Sequence, residues 1–143
     1  MKGNRSHVIT TVSDAIDAFG VDVLEHLDRQ VAIPVHAGAQ RQGDVLVLPR
    51  NGTPAGAMLP QAGFPVVRGE AGGNTHLLLA DGPVTFDTKP ATGTELTLGV
   101  LSVPDGSTAY LTHPEHGYVG IAPGRYVIRR QREQADELRL VTD

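Results

Sequence analysis

TAYLTHPEHGYVGIAPGRYVIRRQRE, residues 108–133, is the stretch whose reading decides the fold. Two runs of β-favouring residues, Thr108 to Thr112 and Tyr118 to Ala122, flank the tetrapeptide His113-Pro114-Glu115-His116, with Gly117 behind it. Proline at the second place of a four-residue turn pre-sets φ, and such a turn brings its end Cα atoms within about 7 Å. The stretch reads as a β-hairpin whose tip carries His113 and His116, able to turn their imidazoles to one point. Ala122-Pro123-Gly124 then reverses the chain into Arg125 to Glu133. There Tyr126, Ile128, Arg130 and Arg132 alternate with Val127, Arg129 and Gln131.

The same punctuation extends outward. Glu95 to Val103 is the longest strand, with Leu96, Leu98 and Val100 on one face and Thr97, Gly99, Leu101 and Val103 on the other. Pro104-Asp105-Gly106-Ser107 follows as a hairpin turn. Asp44 to Pro49, without a polar interruption, reads as a strand buried on both faces. Asn51-Gly52-Thr53-Pro54 is a strong turn, and Ala55 to Gly63 looks irregular. Phe64 to Arg68 is a short strand that Pro65 suits to a sheet edge. Thr75 to Ala80, Val84 to Phe86 and a final run, Leu138 to Thr142, complete the set. About eight or nine short strands at intervals of roughly ten residues predict an all-β, mainly antiparallel sandwich or small barrel. Alternating βαβ units are absent, which argues against a doubly wound fold.

One helix precedes the strands. Ser13 offers an N-cap and Asp14 a negative charge in the first turn. Ile16, Phe19, Val23, Leu24 and Leu27 then fall on one helical face. Gly20 costs such a helix about 1 kcal/mol and is the place where it would split. Pro34 ends it by disfavouring the α region at Ile33. The organisation expected is a flexible N-terminus over 1–12, an amphipathic helix over 13–30 and a single β domain over 31–143.

The chain of 143 residues is 40% apolar and 20% charged, as a packed globule requires, and its formal charge is −4. That balance, with three Tyr and three Phe, makes nucleic acid an unlikely partner. No apolar run reaches the roughly 18 residues of a membrane span, and no signal-peptide core opens the chain, so a cytoplasmic protein is expected. Cysteine is absent, which excludes disulfides, thiolate metal sites and a cysteine nucleophile. The serines stand in no nucleophile-elbow context.

The chemistry-bearing residues are therefore histidines. Zinc needs three or four N, O or S donors. His113 and His116 supply two, and His76, which begins a strand straight after the Gly-rich loop 69–74, supplies the third. Glu70, in that loop, serves as a fourth ligand or as a partner that fixes an imidazole tautomer. With an open position, such a site lowers the pKa of bound water towards 7, and Glu115 is placed to move a proton. Hydration or hydrolysis of a small-molecule substrate is the reaction expected. Arg130 and Arg132 could hold an anionic group on the substrate, although a structural ion-pair network explains the same arginines. His26 reads as a helix-surface residue, and His36 and His7 are flanked by flexible sequence. The competing reading is a non-catalytic interaction or assembly module, a homo-oligomer whose subunit interface is formed by the hairpin rims and the N-terminal amphipathic helix.

Five motifs group these residues. RQGDV at 41–45, GEAGGNTH at 69–76, HPEHG at 113–117, PGRYVIRRQRE at 123–133 and the closing VTD resemble a family of small uncharacterised bacterial and phage-encoded proteins. The resemblance covers roughly the last hundred residues and leaves out the helix. It implies no particular activity. Where that family's loop often reads His-x-His, this chain has Asn74-Thr75-His76, so one possible ligand is missing.

Overall fold

Strands that alternate apolar and polar side chains have an apolar face to cover, and here two sheets cover each other. The computed structural model describes residues 8–69, 75–90 and 96–131. The first sheet has the order β1 (Val35–His36), β10 (Gly117–Ile121), β9 (Thr108–His113), β6 (His76–Asp81), β5 (Phe64–Val67). The second runs β2 (Gln40–Gln42), β3 (Val45–Pro49), β11 (Gly124–Arg130), β8 (Thr97–Val103), β7 (Thr85–Asp87), β4 (Ala57–Met58). Of these pairings only β1 with β10 is parallel. Each sheet ends in edge strands, so the all-β architecture is a sandwich rather than a closed barrel. Beyond the expected strands lie β1, β2 and β4, two or three residues each and too short to show a period.

The main core fills the space between the sheets. Phe86, Leu101 and Tyr126 stand in one cross-strand row of the second sheet and face Leu78, Leu111 and Ile121 of the first. Gly99 leaves room for the Phe86 ring, which occupies the place of a Cβ. β3 corrects the expectation of a strand buried on both faces: Val45 and Val47 are fully buried, whereas Leu46 and Leu48 are half-buried on the outer face. β5, with its proline, lies at the edge where the sequence put it.

Three turns, two of which read in the sequence as simple reversals, carry the chain from one sheet to the other. Residues 82–84 join β6 to β7, Pro104 to Ser107 joins β8 to β9, and Ala122-Pro123 joins β10 to β11. The hairpin expected at 104–107 is thus an arch: the chain reverses, but β8 and β9 lie in different sheets, with Val103 and Ala109 meeting across the core. The 113–117 hairpin forms as expected. His113 pairs with Gly117, whose φ of 80° is the left-handed conformation that closes a three-residue loop.

A second, smaller core lies on the outside of the first sheet. The helix α1 (Val12–Phe19) buries Val12 and Ala15 there, against Leu79, Tyr110 and Tyr118. It is half the length expected. Thr11, not Ser13, is its N-cap and forms a capping box with Asp14. Gly20 stops it at φ 75°, with its N–H donated to the Ile16 carbonyl. The next ten residues form turns instead. The Arg29 guanidinium ties them together, donating to the Asp22 carboxylate at 3.1 Å and to the Val23 carbonyl at 2.9 Å. The buried face of the helix therefore packs on the sheet of its own chain, while Leu24, further along the expected stripe, stays exposed.

Candidate functional site

At one end of the sandwich the β2–β3 turn, the start of β6 and the β9–β10 turn come together. RQGD folds locally because Gly43 accepts φ 61°, which lets a two-residue turn join β2 to β3. Gln42 just before that turn is 4% exposed and points across to the other sheet. Its side-chain amide donates to the carbonyls of Leu111 and Gly117, each at 3.0 Å. Gln40, two residues earlier, donates likewise to the Gly120 carbonyl. These two glutamines stitch the sheets at the end where the histidines gather.

His76, His113 and His116 are brought together there. Ring centroids lie 4.4 Å apart for His76 and His113, 4.6 Å for His113 and His116, and 6.2 Å for His76 and His116. His76 and His113 are buried and His116 is exposed. Nε2 of His76 lies 3.1 Å from the Gln42 carbonyl oxygen. A carbonyl only accepts, so that nitrogen carries the proton and Nδ1 keeps its lone pair. Nδ1 is buried and has no hydrogen-bond partner among the described residues. His113 is fixed differently: its Nδ1 accepts the Glu115 backbone N–H at 3.0 Å, which leaves the proton of the neutral ring on Nε2.

The rings close over the bare backbone of Gly43. A Cβ there would lie 3.0 Å from His116 Nε2 and 3.3 Å from His76 Nε2. Gly43→Ala therefore meets both a left-handed φ and two imidazoles. We expect about 1–2 kcal/mol of lost stability, and displaced His76 and His116 ring resonances in NMR spectra; an unchanged midpoint and unchanged shifts would mean that the turn does not shape the cluster.

Burial is the main cause that holds the His76 pKa down to about 4, and the neighbouring His113 adds to it. The Asp44 carboxylate and the Gln42 carbonyl pull the other way, too weakly to offset burial. His76 is thus neutral at pH 7, the form in which an imidazole ligates a metal. Tyr118 is likewise moved by burial, its hydroxyl pushed above the usual phenol range, and it donates to the Val21 carbonyl at 2.7 Å.

Each remaining candidate has a definite place. Glu115 is exposed on the turn between the two hairpin histidines. Arg130 faces the Asp44 carboxylate at 3.5 Å, an ion pair that joins β11 to the β2–β3 turn. Glu70 and Arg132, together with Asn74, His7 and the 138–142 run, lie outside the described residues. His26 and His36 are exposed and far in sequence from the cluster. Among the described residues, no three His, Asp or Glu side chains have their donor atoms arranged to hold a metal ion. His113 and His76 each commit one ring nitrogen to the backbone, and the rings lie against one another rather than pointing lone pairs at one centre. Gln42 was not foreseen as part of the site; the spacing of Gln40 and Gln42, two polar side chains on one face of a strand, is the signal that marks it.

The profile of the family described as Domain of unknown function (DUF8820) matches residues 41–131, from the arginine of RQGDV to Gln131. The chain belongs to this family. The match takes in His76, His113 and His116 and leaves α1 outside. No curated protein and no solved structure matched the chain.

Proposed function

We propose that this protein binds one divalent transition-metal ion, zinc being the natural choice for imidazole donors, at the His76–His113–His116 cluster. The observation that carries the reading is the buried Nδ1 of His76, without a partner among the described residues while Nε2–H is anchored on a backbone carbonyl. Metal-ligating histidines are oriented in this way, one nitrogen donating to a carbonyl and the other left for the ion. His116 is exposed and free to turn towards that nitrogen. His113 joins by ligating through Nε2, which moves its proton to Nδ1 and breaks the bond from the Glu115 amide. Loading the site therefore reorganises the 113–117 turn.

A bound ion with an open position would supply Lewis acidity and an activated water, the chemistry of hydration or hydrolysis. Glu115, exposed on the same turn, then carries protons to and from solvent. His116 also walls a cleft of about 340 Å³ with Val12, Leu27, Val31, Tyr118 and Val119. That cleft supports a small, mostly apolar substrate.

The test is elemental analysis and zinc titration of protein purified without chelator or polyhistidine tag. About one equivalent is expected, together with a shift of the Glu115 amide resonance on loading. His76→Gln keeps an N–H for the Gln42 carbonyl but removes the lone pair, and should abolish binding. Metal-free protein that takes up no zinc, or His76→Gln protein that binds as well as the original, overturns the reading.

A further inference from the structure

A cleft lies at the opposite end of β11. Thr85, Ser102 and Arg125 stand side by side on β7, β8 and β11 in one cross-strand row. The neighbouring row, Phe86, Leu101 and Tyr126, faces the core, so this row faces outward. It is covered all the same. Pro54, Pro83 and Pro104 rise around it and form, with Asp105 and Gly124, a cleft of about 400 Å³. Ser102 at its base is only 4% exposed.

Three polar atoms in this row have no partner among the described residues: Thr85 Oγ1, Ser102 Oγ and Arg125 Nε. Each unsatisfied buried polar group costs about 1–3 kcal/mol, and native interiors hold few of them. Three in adjacent places, lining one cleft, call for an occupant. The donors are two hydroxyls and a guanidinium, the groups that recognise an oxyanion. Rotation about a single bond turns either hydroxyl towards the cleft.

The charge balance narrows the ligand. Among the described residues Arg125 is the one cation lining the cleft, and Asp105 is there as well, so a dianion such as phosphate meets repulsion that a monoanion largely escapes. A guanidinium matches a planar carboxylate through two parallel hydrogen bonds. The three prolines are rigid apolar walls suited to a hydrocarbon body. We propose that this cleft binds small monocarboxylates with an apolar body, through Arg125 with Ser102 and Thr85. This site is independent of the histidine cluster and needs no metal.

The experiment is a titration of the full, isotope-labelled chain with sodium benzoate, sodium chloride serving as the ionic-strength control, followed by amide chemical shifts. Saturable shifts at Thr85, Ser102 and Arg125 are expected, and Arg125→Gln should lose them. Ser102→Ala separates binding from folding. Removing a hydroxyl without a partner should leave the thermal midpoint unchanged or raise it, while benzoate affinity falls by roughly tenfold. Shifts that stay linear in benzoate overturn the proposal, as do shifts that survive in Arg125→Gln, unaltered affinity in Ser102→Ala, or inorganic phosphate binding more tightly than benzoate.

Discussion

Gln42→Leu is expected to lower the free energy of unfolding by about 3 kcal/mol, a large loss for a residue outside the hydrophobic core. The Gln42 amide gives both its protons to carbonyls of the facing sheet, Leu111 and Gly117, in a setting where the side chain is 4% exposed. Leucine fills the volume but strands both acceptors, each at about 1–3 kcal/mol. Part of that loss is offset because Oε1 of Gln42 has no partner among the described residues, and leucine removes that buried atom too. Urea unfolding should show the loss as a lower midpoint with an unchanged slope. Gln42→Glu sharpens the test. At neutral pH it sets a carboxylate against two carbonyl oxygens and should destabilise more than leucine; on acidification the carboxyl regains one donor, so the gap should shrink. Equal midpoints for Gln42→Leu and the original would show that water or the sheet ladder satisfies those carbonyls, and that the stitch is not what holds this end closed.

The contrast between what the sequence showed and what it concealed follows from range. Turn chemistry is local, so Pro104-Asp105-Gly106-Ser107 and Ala122-Pro123-Gly124 announced that the chain turns. Whether the next strand pairs with the last or crosses to the other sheet depends on what each strand meets, and no single turn contains that information. Periodicity was decisive for β8 and β11, seven residues each, and silent for the two-residue β1 and β4. The helix stripe ran past Gly20 in the sequence because apolar residues at helical spacing continue to Leu27, yet the left-handed cap there overrules the pattern. Val23 and Leu27 reach the same apolar cluster from turns instead.

The histidine cluster was legible to the extent that it rested on hairpin geometry and on the place of His76 after a loop. Its tautomers were not, since they depend on the Gln42 carbonyl and the Glu115 amide, neither of which has a side-chain signature. The cleft of Thr85, Ser102 and Arg125 was wholly hidden. Those residues belong to three strands, and register alone aligns them.

His76 also makes a pH dependence expected of the metal-free protein. The groups facing it are His113, His116, the Asp44 carboxylate and the Gln42 carbonyl, and the balance sets its folded pKa at about 4, against an ordinary value of 6.5. Above pH 6.5 the ring is neutral in both folded and unfolded chains and contributes no slope. Between 6.5 and 4 the unfolded chain takes up the proton and the folded chain does not, so stability falls as the pH falls. Below 4 both are protonated and the contribution levels off. One pKa unit corresponds to about 1.4 kcal/mol; discounted for water that reaches the rim of the sandwich, the whole window is worth on the order of 2 kcal/mol. Carboxylates titrate in the lower part of the same range, so the quantity to measure is the difference between the original chain and His76→Gln, each unfolded by urea in EDTA at several pH values. The difference should favour His76→Gln increasingly from pH 6.5 down to 4 and be flat above 7. A constant difference would mean that His76 charges as readily folded as unfolded, and its ring would then lack the desolvated lone pair on which the metal site depends.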